Sequence, residues 1–295
     1  VTDCDQLALF KELPEAPIFD LPLRRLKRPV WTENKARLIE RYLYYFVLVT
    51  KHGTYIDGFA GPQEIDQPDM WAAKLVLESE PRWLKHFFLF EKDPKQQARV
   101  QQLAESQPPR TRKENKRDIH VIAGDFNESV HTFLDNGLFS KKEAAFCLLD
   151  QRTFQCHWST VDALARYKTE KYKIELFYFL SNGWLDRALA AQKDFTVLDA
   201  WWGDPDWTQL MGMAHAERAK LFANRMRERL GYAFVTPWPI YEQKGSSRVM
   251  YYMIHATDHA EAPKLMNRAY YKAVEPRESA EQFLLDFARV KEHMA

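Results

Sequence analysis

Tyr55-Ile56-Asp57-Gly58-Phe59-Ala60-Gly61-Pro62-Gln63 decides how this chain is read. A short apolar run enters the stretch, an acid closes the run, and two glycines three residues apart follow. That is the pattern of a buried parallel strand turning sharply toward a ligand. Glycine suits the turn because a residue without Cβ permits positive φ and lets backbone come close to a bound molecule. Asp57 can accept hydrogen bonds from ligand hydroxyl or ammonium groups. Any βα turn can carry such residues, so the loop gains meaning from what the other strands bring to it.

Working outward, apolar runs ending in acids recur. His86-Phe87-Phe88-Leu89-Phe90-Glu91, Ile119-His120-Val121-Ile122-Ala123-Gly124-Asp125 and Ala144-Ala145-Phe146-Cys147-Leu148-Leu149-Asp150 read as the second, third and fourth strands, and Ile174 to Leu180 as the fifth. Helical patterns separate them. One runs from Trp31 with Thr32 as N-cap and an apolar stripe to Leu48, then come Trp71 to Ser79, Pro94 to Leu103, a short helix ending at Leu134, and Trp158 to Tyr167. This alternation predicts an α/β fold with a mostly parallel sheet covered on both faces. Ligands of such sheets lie beyond the carboxyl ends of the strands, so Asp57, Glu91, Asp125 and Asp150 are expected to face one crevice. Each acid alone reads equally as a helix cap; four in succession point to a site.

Residues 1 to 30, with their prolines and the cluster Arg24, Arg25, Lys27, Arg28, are expected to form an extended arm, and 31 to 295 a single domain. Within it, 181 to 230 break the alternation with Asn182-Gly183, the tryptophans 184, 201, 202 and 207, and a charged helix from Ala214 to Leu230. We expect a helical insertion, its tryptophans filling core rather than stacking on a ligand ring. Tyr232 to Tyr241 and Arg248 to His255 read as a C-terminal hairpin around 243–247, followed by helices over 260–274 and 279–294.

At 295 residues, 46% hydrophobic and 14% aromatic, the chain can bury a sizeable core. Its 42 basic and 41 acidic side chains create no global field toward nucleic acid or membrane. Cys4, Cys147 and Cys156 make neither a disulfide framework nor a zinc site, which argues for a reducing, cytoplasmic setting. No signal-peptide pattern and no run of eighteen apolar residues occurs, so neither secretion nor membrane spanning is expected.

The strand-end acids beside a glycine turn resemble the site of class I S-adenosylmethionine-dependent methyltransferases, which have a Rossmann-like fold. The resemblance implies that Asp57, Gly58, Phe59, Ala60 and Gly61 form the cofactor loop, that Glu91 accepts both ribose hydroxyls, and that Asp125 accepts the adenine amino group with Phe126 beside the ring. Carboxylates suit these tasks because they only accept. A dinucleotide site fits less well: Gln63 stands where a third glycine belongs, and acidic loops repel a pyrophosphate.

More closely, the chain resembles the three-Cys-motif partner family, bacterial methyltransferase-like proteins named for a neighbouring gene product. The matching pieces are Trp31-Thr32 with Lys35 and Tyr42-Leu43, the loop from Tyr55 to Gly61, Phe90-Glu91-Lys92-Asp93, Gly124-Asp125-Phe126-Asn127, His255-Ala256-Thr257 and Leu265-Met266. A three-Cys-motif protein is the partner this implies. Two segments depart. Asp150-Gln151-Arg152-Thr153-Phe154 replaces the Asp-Pro motif expected after the fourth strand, and the bulky Gln67-Pro68-Asp69-Met70-Trp71 replaces small residues near the cofactor mouth.

Two functions compete on these residues. In a methyltransferase acting on a nitrogen or oxygen, Asp150 would accept a hydrogen bond from the acceptor, and Phe154 or Trp158 would wall its pocket. In a non-catalytic or partner-dependent adaptor, Arg152 would pair with Asp150 and neutralise it. A hydrolase built on His120, His157 or His255 lacks a serine elbow or a metal-ligand spacing, and no metal site is expected. The five basic residues of 110–117 lead into the amino end of the third strand, which puts them at the rim away from the site. For nucleic acid the cluster at 24–28 is the better candidate.

Overall fold

The alternating pattern closes into one eight-stranded sheet. A computed structural model of the chain describes residues 30–31, 34–112, 114–170, 172–191, 195–242 and 248–273. Residues 1–29 of the proposed arm, Thr32, the hairpin loop 243–247 and the last helix over 279–294 lie outside the described residues, whereas Val30, the arm's last residue, is part of the sheet. The strands are β1 (Val30–Trp31), β2 (Thr54–Asp57), β3 (His86–Glu91), β4 (Asp118–Ala123), β5 (Ala145–Leu149), β6 (Glu175–Leu180), β7 (Phe234–Tyr241) and β8 (Val249–Thr257). Their spatial order is β1-β7-β8-β6-β5-β2-β3-β4.

Strands β4, β3, β2, β5 and β6 are mutually parallel, whereas β8 runs antiparallel between β6 and β7. The chain therefore crosses outward from β2 in both directions and returns to slot β8 between strands already laid down. This mostly parallel sheet, wrapped by helices and closed by an antiparallel hairpin strand, is a Rossmann-like α/β fold, as the sequence led us to expect. Pro237 and Pro239 are tolerated in β7 because β1 pairs only with Ile240 and Tyr241, which leaves the proline-bearing stretch one free edge.

The helices are α1 (Lys35–Thr50), α2 (Ala72–Glu78), α3 (Pro94–Glu105), α4 (Phe126–Asp135), α5 (Trp158–Arg166), α6 (Asn182–Ala191), α7 (Thr196–Trp202), α8 (His215–Leu230) and α9 (Ala262–Lys272). Strand residues alternate between two cores, as a period of two requires. Tyr55, Phe87, Leu89, Phe146 and Leu148 pack toward α1, α2, α3 and α9. Ile56, Phe88, Phe90, Cys147 and Leu149 pack toward α4, α5, α7 and α8. Each large side chain so buried contributes about 1.5–3 kcal/mol.

Helix α1 starts later than the sequence suggested, at Lys35, with Asn34 in the N-cap position and no side-chain cap bond. Two other helix starts grow directly out of strand ends. The Asp93 side chain accepts from the backbone N–H groups of Lys95 and Gln96 ahead of Pro94, and Asp125 accepts from Asn127 N–H. Between β6 and β7 lie α6, α7, a short 3₁₀ turn at Pro205–Leu210, and α8. Trp201, Trp202 and Trp207 are buried in that segment, so they fill core. The segment 110–117 leads into the amino end of β4, where Arg117 donates to the Leu77 carbonyl and lies over the Phe87 ring.

Candidate functional site

The loop after β2 is fixed to both neighbouring strands before any side chain acts. Gly58 N–H donates to the Leu148 carbonyl of β5 at 3.0 Å, and Ala60 N–H to the Phe90 carbonyl of β3 at 2.8 Å. Neither Gly58 nor Gly61 has positive φ, contrary to the expectation from the sequence. Both are required for closeness instead. A Cβ on Gly58 would sit 2.7 Å from the Phe126 ring, and one on Gly61 would sit 2.2 Å from Glu91 Oε2 and 2.9 Å from Gln96 Cβ. Positive φ falls on Gly124, at +119°, where the chain turns from β4 into Asp125.

Because Gly61 N–H donates to Glu91 Oε2 at 2.8 Å, an alanine there would have to push the carboxylate away from its own donor. Gly61→Ala is expected to cost about 1–3 kcal/mol, the range for forced overpacking. Urea unfolding of the variant checks this; wild-type stability would mean that the loop relaxes freely.

A cavity of about 780 Å³ opens over the carboxyl ends of β2, β3, β4 and β5. Gly58, Phe59, Gly61, Glu91, Asp125, Phe126 and Asp150 all line it. Asp57 and Ala60 do not. Asp57 lies beneath the loop, 2% exposed, accepting from Tyr55 O–H at 2.8 Å and from Phe59 N–H at 3.1 Å. Burial pushes its pKa up to about 7 against those two hydrogen bonds, with Asp150 and Glu91 adding to the rise. Asp57 thus braces the turn from below, and three of the four strand-end acids share the crevice.

Glu91, half-buried at the end of β3, accepts from Gly61 N–H through one oxygen and from Asp93 N–H at 2.9 Å through the other. Each oxygen has capacity for one further hydrogen bond. Asp125 accepts at one oxygen from the backbone and side-chain amides of Asn127, and at the other from Lys92 Nζ at 2.8 Å. Burial raises the Asp125 pKa, but these donors outweigh it and hold the group below the usual carboxylate value. Phe126 is 2% exposed and packs on Phe90 at 4.6 Å, so its ring belongs to the core; Phe59 is the more open aromatic of the loop.

Asp150 is held by a partner the sequence reading did not assign to it. Lys35, at the first position of α1, sets its ammonium 2.7 and 2.9 Å from the two carboxylate oxygens and 3.2 Å from Gln63 Oε1. Both residues are buried, and the ammonium also lies over the Phe179 and Tyr251 rings. Burial lowers the Lys35 pKa, but the charge and hydrogen bond of Asp150, with smaller contributions from Tyr251 and Asp57, together outweigh it and leave the ammonium above its ordinary value. Arg152, the partner expected from the sequence, instead reaches the Pro62 carbonyl at 3.5 Å. A signal for Lys35 was present: it occupies the same i, i+3, i+4, i+7 stripe as Leu38, Ile39 and Tyr42, a core position for which a lysine needs a buried partner.

The altered segment after β5 is built into the scaffold. Gln151, fully buried, donates to the Phe179 carbonyl and accepts from Cys156 N–H, tying that segment to β6. Phe154 lines the cavity while packing edge-on against Trp201 at 5.0 Å; Trp158 turns away toward Phe222 and Arg225. In the 67–71 segment, Trp71 Nε1–H donates to the Ala60 carbonyl at 2.6 Å, so the bulky residues clamp the loop from outside. The three histidines are dispersed. His120 stacks on Phe88, His255 is buried with Glu175 and Tyr42, and His157 alone borders the cavity.

No protein-family model matches the chain, and no curated protein matches it. Among solved structures, the methyltransferase domain of bacterial CtHen1-CN is similar over 76% of this chain and 99% of that one, at 13% identity and a TM-score of 0.41. At that level the overlap carries no argument about site or substrate. No described helix is long and apolar enough to cross a membrane.

Proposed function

We propose that this protein is an S-adenosylmethionine-dependent methyltransferase acting on a nitrogen or oxygen acceptor. The observation that carries the reading is the single cavity spanning the ends of β2 to β5, with Glu91 and Asp125 at its wall beside a loop stripped of side chains at Gly58 and Gly61. The residues suit that cofactor. Glu91 has one lone pair left on each oxygen for a ribose diol, and Asp125 can take an amino group when Lys92, itself exposed, swings aside. When bound, S-adenosylmethionine supplies a sulfonium methyl, transferred in line to an acceptor lone pair while the carbon–sulfur bond breaks and the acceptor releases its proton.

Asp150 then orients the acceptor by accepting its N–H or O–H. Lys35, in contact with both oxygens, fixes the Asp150 carboxylate in place, which suits it to positioning the acceptor. The departing proton passes to solvent at the open side of the cavity. A three-Cys-motif protein is the partner suggested by the motif resemblance.

The reading is tested by calorimetric titration with S-adenosylhomocysteine, then methyl transfer from labelled S-adenosylmethionine to a panel of RNA, DNA and protein. Glu91→Ala is expected to weaken cofactor binding by about 1.5–3 kcal/mol, the range for hydrogen bonds to a charged group. Unchanged affinity in the folded variant would remove Glu91 from the ribose role. A second reading, an adaptor that binds the cofactor without using it, is favoured by the Lys35 contact on Asp150 and by the structural use of Gln151. Cofactor binding without transfer to any of the panel, with or without a three-Cys-motif protein added, would support it.

A further inference from the structure

We propose that the rim of this cavity grips the phosphate backbone of a single-stranded nucleic acid through Lys95, Arg99 and Arg152, which makes the methyl acceptor a nucleic acid. The word acceptor rests on the methyltransferase reading; the grip itself does not.

The argument is an account of which charges are already used. Four carboxylates line the cavity, and each is engaged by the protein's own donors. Glu91 holds Gly61 and Asp93 N–H, Asp93 caps α3, Asp125 holds Asn127 and Lys92, and Asp150 holds Lys35. The cations are spent unequally. Lys92 is committed to Asp125, whereas the side chains of Lys95 and Arg99 have no hydrogen-bond or ion-pair partner among the described residues, and Arg152 has only its long contact to Pro62. Ion pairing removes Asp125 and Asp150 from the balance, so an incoming ligand meets three cations without an ion-pair partner, Lys95, Arg99 and Arg152, against two such acids, Glu91 and Asp93, although the cavity wall carries four of each sign. The chain's net charge of +1 conceals this local imbalance.

Spacing favours a chain of phosphates over one phosphorylated side chain. Lys95 and Arg99 stand one helical turn apart on α3, about 6 Å along its axis. Arg152 comes from the segment after β5, two strands away across β2. Three donors spread over two walls suit several phosphates better than a lone phosphate, which would need them convergent. Between them the cavity offers flat or apolar surface to bases: Phe59, half-exposed, and Ile65 and Val197, 55% and 46% exposed. Stacking surface beside a cationic track is the combination that holds single strands without sequence readout.

The test uses the full chain and fluorescently labelled single-stranded RNA and DNA of one sequence, with anisotropy titrations across a series of salt concentrations. Three phosphate contacts at a slope of about 0.7 each predict that the triple variant Lys95→Ala/Arg99→Ala/Arg152→Ala lowers the slope of log affinity on log salt by about 2. The control variant Arg110→Ala/Arg112→Ala, at the opposite rim, is expected to change it little. An unchanged slope in the triple variant, or binding of a phosphopeptide but of neither oligonucleotide, would overturn the proposal. Calorimetry with S-adenosylhomocysteine on the same variants separates the two readings. Strand binding that depends on the three cations in a protein that does not bind the cofactor would remove the methyltransferase reading and leave the grip standing.

Discussion

Lys35→Ala is expected to destabilise the protein by about 3–5 kcal/mol in chemical denaturation, because it leaves a buried carboxylate without its counter-charge. Asp150 is 7% exposed, and its contacts to Lys35 are the only ion pairs it makes among the described residues. Lysine to alanine also removes the ammonium from over the Phe179 and Tyr251 rings, together with the buried stem that carries it. The diagnostic variant is therefore the double substitution Lys35→Met/Asp150→Asn, which removes both charges and keeps most of the volume. It should regain a large part of the loss, since a buried pair replaced as a unit is often close to neutral. Additive losses in the double variant would show that the two residues stabilise the fold independently.

The second large effect concerns turnover. If Asp150 orients the acceptor, Asp150→Asn should lower methyl transfer by roughly a hundredfold while cofactor affinity stays within a few-fold. The amide also strands the Lys35 ammonium, so the comparison is made on the folded fraction, with S-adenosylhomocysteine affinity measured on the same sample. Equal losses of affinity and turnover would make Asp150 a cofactor ligand or a structural residue. Full turnover in the amide variant would remove it from the acceptor site and leave the adaptor reading in front.

Much of the arrangement was legible because it is local. Strands that close on Glu91, Asp125 and Asp150 announce both a parallel sheet and the rim where its ligands lie, since apolar period and strand polarity are written within six or seven residues. What was not legible depends on partners far apart in the chain. Lys35 and Asp150 are separated by 115 positions, and only the sheet order brings α1 over the end of β5. Arg152, two residues from Asp150, was the obvious partner by proximity and proved to point elsewhere. The same limit applies to Asp57. A strand-end acid in sequence does not reveal whether its carboxylate turns up toward the crevice or down onto Tyr55, and here the tyrosine two residues earlier on the same face of the strand takes it. Gly58 and Gly61 were read as allowing positive φ and close approach to a ligand; the close approach seen is by Phe126 and Glu91, a tertiary fact that the sequence does not carry.

The placement of β8 also governs the order in which a nascent chain can complete its sheet. By the time β7 has left the ribosome, every parallel strand exists, yet β7 has no strand to pair with along most of its length and β6 has one open edge. Both gaps are filled by the same nine residues, Val249–Thr257, which bond to β6 on one side and to β7 on the other. A ribosome stalled before residue 249 therefore holds a chain with two unpaired edges of apolar strand, the condition under which partly made proteins recruit one another or a chaperone. Once β8 arrives, one strand covers both edges.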